Sequence, residues 1–394
     1  MTYSMVVLFK NTFLLWFSLS LFSISQGHAQ VQVGAEQIEA YLSFLKNKNI
    51  GVVAHASSLV KTQNQSVHLI DTLLSLNIKI NKVFAPEHGF RSKADNGEHV
   101  DNTLDPKTKL PLISLHGKNK KPQSKDLEGM DLMVFDIQDV GVRFYTYLST
   151  LHLVMEACAE NNIPLLILDR PNPNAHYVDG PVLEDEFKSF LGKHNVPIVY
   201  GLTLGEYAQM INKEGWLANK ITCKLSIIPI KNYTHKTPYA LAVRPSPNLP
   251  NDQAINLYPS LCLLEQTPVS IGRGTEMQFQ VFGHPDFKNT GFQFKPQPNF
   301  GAKYPKQENK DCYGLDLRKH PGLNKIELKW LMNAYQMASD KEGFFFERFA
   351  FISGTKTIKH QIQEGLSEQE IRTSWKPKID AFLKIRANYL LYED

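Results

Sequence analysis

The chain has 394 residues, of which 42% are hydrophobic and 11% aromatic; 43 Lys and Arg face 39 Asp and Glu, for a net charge of +4. This is enough apolar material for packed cores in two or three domains, which excludes wholesale disorder. The balanced charge leaves no footprint for nucleic-acid binding, and four Cys in so long a chain are not a disulfide scaffold.

Residues 1–29 read as a secretory signal peptide. Lys10 supplies the positive charge, Phe13 to Phe22 the apolar stretch, and Gly27-His28-Ala29 the small-residue cleavage site. Cleavage is expected after Ala29, because the apolar stretch is shorter than the roughly 20 residues of a spanning helix. The mature chain is therefore expected to be exported, periplasmic or secreted, without stable membrane insertion. There Cys158, Cys223, Cys262 and Cys312 either pair or remain buried thiols. None has the C-x-x-C spacing of zinc or redox chemistry.

From about residue 35 to 230, strand-like and helix-like runs alternate. Ile50 to Ala54 is a strand, Ser66 to Leu76 a helix, and Lys82 to Ala85 a second strand. Leu110 to Leu115 and Leu132 to Phe135 follow as strands, and Tyr147 to Glu160 as a helix. Leu165 to Leu168, Val196 to Tyr200 and Leu225 to Ile230 read as strands, with a helix over Leu204 to Glu214 opened by Thr203. Short, nearly all-apolar strands predict a sheet buried on both faces. The fold class is α/β, a Rossmann-like, mainly parallel, doubly wound sheet. Three Pro within 244–250 mark a crossing into a second, smaller α+β domain. The expected division is 1–29 signal peptide, 30–252 catalytic domain and 253–394 C-terminal domain completing a cleft. In the latter, Glu327 to Met337 and Leu366 to Leu391 are helical, with Ser367 and Glu370 as a capping box.

No dinucleotide loop follows the first strand, which runs into Ala54-His55-Ala56-Ser57-Ser58; Gly272-Arg273-Gly274 lacks a third Gly. G-x-S-x-G, H-E-x-x-H and P-loop motifs are also absent. In open α/β sheets, ligands bind beyond the carboxyl ends of the strands. Those ends carry Glu87, His88, Gly89 and Arg91; His116; Asp136, Gln138, Asp139, Arg143 and Tyr145; and Asp169, Arg170 and Asn172. Each has a structural reading as well. Asp136 and Asp139 suit capping or pairing with Arg143, Asp169-Arg170 suits a turn, and Asn172 between two Pro is a turn former. Taken together, the set points to carboxylate acid–base chemistry with Arg, Asn, Tyr and His as positioning donors, which fits a sugar substrate. Arg143 or Arg170 suits a substrate carboxylate.

These residues carry a family resemblance. Phe84-Ala-Pro-Glu-His-Gly-Phe-Arg91, Val134-Phe-Asp-Ile-Gln-Asp-Val-Gly-Val-Arg-Phe-Tyr-Thr-Tyr147, Leu168-Asp-Arg-Pro-Asn-Pro173, Asp179-Gly-Pro-Val-Leu183 and Gly272-Arg-Gly-Thr-Glu276 resemble the exo-β-N-acetylmuramidases of the NamZ type. The likeness runs from about residue 48 to the end. It implies an enzyme that releases N-acetylmuramic acid from the non-reducing ends of peptidoglycan fragments, without metal or nucleotide. It makes Glu87 the catalytic acid or acid/base, and the convergence of carboxylates at one sheet rim makes Asp139 or Glu276 the expected second carboxylate. It assigns substrate contacts to His88, Arg91, Asp136, Gln138, Arg143, Tyr145, Asp169, Arg170, Asn172 and Arg273. The chain departs from the family pattern at Ala85, at His55-Ala56 and at Ala175-His176, so subsite preference is where a difference is expected. Two other classes fit the composition: a non-catalytic periplasmic binding protein for cell-wall sugars, and a metal-dependent hydrolase using His88, Asp136 and Asp139.

Overall fold

The computed structural model describes residues 30–62, 65–87, 89–90, 103–287 and 290–394. The leader segment 1–29, His88 and Arg91 lie outside the described residues. Helix α1 (Ile38–Leu45) precedes β1 (Asn49–Ala54), which starts the main sheet. A hairpin of β2 (Leu59–Lys61) and β3 (Ser66–His68) follows, then α2 (Leu69–Ser75), β4 (Lys79–Ala85), β5 (Thr103–Leu104) and β6 (Pro111–Ser114). Next come α3 (Ser124–Leu127), β7 (Leu132–Asp136), α4 (Tyr147–Glu160), β8 (Leu165–Leu168), α5 (Leu204–Lys213) and β9 (Leu225–Ile228). The seven strands pair in the order β5-β6-β4-β1-β7-β8-β9. Every pairing is parallel except that of β5 with β6.

Alternate residues of each strand face opposite layers. Val53, Phe84, Phe135 and Ile167 join the core on one face, and Val52, Val83, Val134 and Leu166 the core on the other. This is why the strands read as unbroken apolar runs. The chain winds outward from β1 to β4 and β6, then crosses back to β7, β8 and β9. The carboxyl ends of β1 and β7 thus flank a topological switch point, where a crevice opens.

The Pro-rich run leads into α6 (Asp252–Leu261) and a three-stranded antiparallel sheet of β10 (Val281–His284), β11 (Phe292–Phe294) and β12 (Cys312–Asp316), in the order β10-β12-β11. Helices α7 (Leu328–Met337), α8 (Phe349–Ser353), α9 (Thr357–Gln363) and α10 (Glu368–Arg386) complete this part. The expected capping box opens α10: Glu370 N–H donates to Ser367 Oγ, and Ser367 N–H donates to the Glu370 carboxylate. Phe279, Phe282, Leu331, Phe349 and Trp375 belong to the same core as Leu151 and Tyr200, so the two parts share one apolar interior.

The structure departs from the expectations in two elements. Val196–Tyr200 is no sheet strand; Val199 forms single bridges to Val142 and Asp179. Pro197 cannot donate to a ladder, so the run is buried as irregular backbone instead. The segment read as a helix from Ser66 begins as β3 and becomes helical at Leu69. All four Cys are buried free thiols.

Candidate active site

Strand β4 ends at Ala85, where Pro86 has no N–H to continue the ladder. Glu87 follows, half-buried. The Thr146 hydroxyl donates to its Oε2 at 3.0 Å, and the Tyr147 hydroxyl donates to its backbone carbonyl at 3.3 Å. Thr146 stands at the N-cap position of α4, and a helix N-terminus favours a nearby carboxylate. Glu87 opens onto a recess of about 150 Å³ walled by Phe144, Tyr145, Tyr258 and Phe279, with Ser246, Asn248 and Arg273 as its other polar groups. Tyr145 is fixed edge-on to Tyr147, with ring centroids 4.8 Å apart, and its hydroxyl donates to Pro245 O at 2.6 Å. Arg273 lies over the Phe279 ring, and its Nε donates to Glu265 Oε1 at 2.8 Å. Its two Nη groups have no hydrogen-bond partner among the described residues. The recess thus joins a carboxyl, a free guanidinium edge and aromatic walls.

A neighbouring cavity of about 300 Å³ is lined by Arg170 and Gln138, with Ser57, Lys61, Glu36 and Tyr239. Arg170 is clamped to Asp136, donating from Nε at 2.5 Å and from Nη2 at 2.9 Å. Both oxygens of Asp136 therefore face a fixed cation, so the metal-ligand role weighed for it is not supported. Gln138 donates to Asp139 O and Pro171 O, at 2.9 and 2.6 Å. The departures from the family pattern sit nearby in part. His55 packs 5.6 Å from the Tyr147 ring, whereas His176 is turned away onto the Leu323 carbonyl.

Asp139 is buried, close enough to Tyr145 and Tyr147 for its charge to act on both. Tyr200 OH and Gly141 N–H donate to its Oδ2 at 2.5 and 2.7 Å, while Oδ1 has no partner among the described residues. Burial pushes its carboxyl up to about 6, against those stabilising donors. A folded-state pKa above the unfolded one adds stability that is full below about pH 4 and lost as pH rises through about 6. The unfolding free energies of Asp139→Asn and the wild type should therefore diverge by about 1–3 kcal/mol between pH 4 and pH 7, in the variant's favour at the higher pH. Parallel denaturant titrations at the two pH values check this; a constant difference contradicts it.

Several expected site residues do structural work instead. Arg143 is 1% exposed. Its Nη1 donates to Pro181 O and Val196 O, both at 2.9 Å, and its Nη2 to Ile352 O at 3.1 Å and Ser353 O at 2.9 Å. The last two are end carbonyls of α8, which a cation satisfies well. Arg143 is thus a buried clamp and not a substrate contact. Asp169 accepts from Thr203 Oγ, Tyr392 OH and Gly205 N–H at 2.7, 2.6 and 2.9 Å. Burial raises its carboxyl to about 6 as well. It anchors the start of α5 and the 391–394 segment, with no oxygen left for a ligand. Asn172 donates to Leu202 O and accepts from Asn174 N–H, both at 2.8 Å. Gly141, at φ +75°, is needed beside it: a Cβ there would come within 1.9 Å of Asn172 Oδ1. Glu276 stands exposed on the turn after Gly274 and does not line the recess. Thr146, Asn248 and Phe279 were not singled out from the sequence. Only Thr146 carried a signal, as a hydroxyl at the mouth of a predicted helix.

Residues 50–253 match the family model described as exo-beta-N-acetylmuramidase NamZ, N-terminal, and residues 256–392 match its C-terminal counterpart. The chain is 33% identical over 389 residues to the peptidoglycan beta-N-acetylmuramidase NamZ of Bacillus subtilis (strain 168), covering 92% of both chains. It resembles the crystal structure of a DUF1343 family protein of Bacteroides fragilis NCTC 9343 with a TM-score of 0.85 and 44% identity, over 93% of this chain and 100% of that one. A second DUF1343 family protein of that organism matches with a TM-score of 0.80 and 26% identity, over 92% of this chain and 99% of the other. The matches span both parts of the fold and the edge that carries Glu87, and by them this chain belongs to the NamZ family of exo-β-N-acetylmuramidases and is a glycoside hydrolase.

Proposed function

We propose that this chain releases N-acetylmuramic acid from the non-reducing ends of peptidoglycan fragments, with Glu87 as the acid or acid/base. The observation that carries the reading is the Glu87 carboxyl, held by Thr146 at 3.0 Å in an aromatic recess beside Arg273. Glycoside cleavage needs a proton donor at the leaving oxygen and a second charge to stabilise the oxocarbenium-like state. Neither of the two second carboxylates expected lines the recess, but Asp139 is buried, its charge acts on Tyr145 and Tyr147, and one of its oxygens has no partner among the described residues. We assign it the stabilising role; Glu276 is too exposed for it. The sequence of residues 1–29 supports action outside the cytoplasm.

The acid group that distinguishes N-acetylmuramic acid from N-acetylglucosamine is its lactyl carboxylate. Among the arginines expected to hold it, Arg143 is occupied by four carbonyls, and Arg170 faces the neighbouring cavity. Arg273 shares the recess with Glu87, and we assign the carboxylate to it. Arg273→Lys keeps the charge but loses the paired donors, so kcat/KM on a muramide should fall about tenfold or more. The preference over the matching glucosaminide should shrink with it. An equal fall on both sugars would remove Arg273 from this role.

The reading is tested with residues 30–394, a chromogenic β-N-acetylmuramide and the matching N-acetylglucosaminide, each with and without EDTA. Release from the muramide alone, indifferent to chelator, is expected. Tight binding without release would favour the binding protein, and release abolished by EDTA a metal-dependent hydrolase.

A further inference from the structure

Two large aromatic rings stand in water near the recess: Phe300 is 61% exposed and Tyr304 is 92% exposed. Apolar surface left in water is unfavourable, so a pair of exposed aromatics on a fixed loop calls for a use. This loop is fixed. Gln297 N–H donates to Gly274 O at 2.8 Å, and Asn299 Nδ2 donates to Thr275 O at 3.3 Å. Asn299 and Ala302 exchange two backbone bonds of 3.1 Å, which close a tight turn with Phe300 in it. On the other side, Asn248 Nδ2 donates to Gly301 O at 2.7 Å. Glycine occupies both contact points because neither has room for a side chain. A Cβ on Gly274 (φ +79°) would lie 2.6 Å from Gln297 O, and one on Gly301 (φ +95°) 2.9 Å from Pro247.

The two anchors matter because of what adjoins them. Asn248 lines the Glu87 recess, and so does Arg273, the neighbour of Gly274. The loop is thus fastened to two walls of the mouth. An exo-acting enzyme holds one terminal sugar at its acid group, so the rest of a glycan strand lies beyond the recess. The C–H faces of pyranose rings pack against aromatic rings, and rings carried on a backbone fixed in advance give up less freedom on binding. Exposed Glu276, on the turn that holds Arg273, adds an acceptor for hydroxyl or amide donors.

We propose that Phe300 and Tyr304 form an aromatic platform for the leaving saccharide, the part of the glycan beyond the bond that is cut. This rests on the function proposed above and extends it to a further subsite. The test is the Phe300→Ala/Tyr304→Ala double variant on two substrates: a tetrasaccharide with N-acetylmuramic acid at its non-reducing end, and the chromogenic muramide. We expect kcat/KM on the tetrasaccharide to fall about tenfold, through KM, several times more than on the chromogenic compound. Equal losses on both, or none on the tetrasaccharide, overturn the platform. So does an unchanged tetrasaccharide KM accompanied by loss of a dimer in size-exclusion chromatography, which would give this face to a second copy of the chain. Sedimentation with peptide-free glycan strands, in a Glu87→Gln background, reads binding without turnover. If the wild type cleaves neither substrate, the proposed function falls, and this binding assay then decides the platform separately: glycan held by the Glu87→Gln protein and released by the added double substitution sustains it, and no difference overturns it.

Discussion

Glu87→Gln should lower kcat on a chromogenic N-acetylmuramide by about 10³-fold, within the range contributed by a positioned general acid or base. The substitution is nearly isosteric. The Thr146 hydroxyl, at 3.0 Å from Oε2, finds an acceptor in the amide oxygen, so the side chain keeps its place. What disappears is the ability to hand a proton to the leaving oxygen and take one back. Because Glu87 is only half-buried, stability should change by no more than about 0.5 kcal/mol. KM should move little, since the aromatic walls and Arg273 remain. A folded Glu87→Gln protein with near wild-type turnover would remove Glu87 from the chemistry. A variant that loses both turnover and melting cooperativity would mark Glu87 as a structural residue instead.

The largest effect on stability is expected at Arg143, a position whose sequence context suggested a ligand contact. Arg143→Met should cost about 4 kcal/mol or more, because four buried carbonyls lose their donor together. Two of those carbonyls, on Pro181 and Val196, belong to the larger part, and two, on Ile352 and Ser353, to α8 of the smaller part. The loss should therefore loosen the junction between them. Arg143→Lys should cost less, as one ammonium still reaches some of the four. Denaturant midpoints of the three proteins check the order. If Arg143→Met were as stable as the wild type but no longer distinguished muramide from glucosaminide, the structural assignment would fail and the ligand reading would return.

The difference between Arg143 and Arg273 illustrates how much of the site was legible in sequence. Strands β1, β4, β6, β7 and β8 were, because each is a short apolar run ended by Pro, Gly or a polar residue; the short β2, β3 and β5 were not. So was the gathering of Glu87, Asp136 and Asp169 at one edge, because parallel strands all end on the same side. The N-cap at Thr203 and the capping box at Ser367 were legible too, being contacts between residues three apart. Val196–Tyr200 misled, because burial makes an irregular segment as apolar as a strand.

The sequence by itself determined the doubly wound sheet, the edge on which the polar residues collect and the membership of Glu87 in it. All of these follow from local apolar patterning and from the period of the strand. The tertiary structure alone decided which of those polar groups remain available to a ligand. Arg143 is satisfied by carbonyls 209 and 210 residues away, and Asp169 by a tyrosine 223 residues away, whereas Arg273 arrives from the second half with its outer nitrogens unused among the described residues. Hydrogen bonds act over about 3 Å, so whether a donor or acceptor is already satisfied depends on which distant segments the packing brings within that reach.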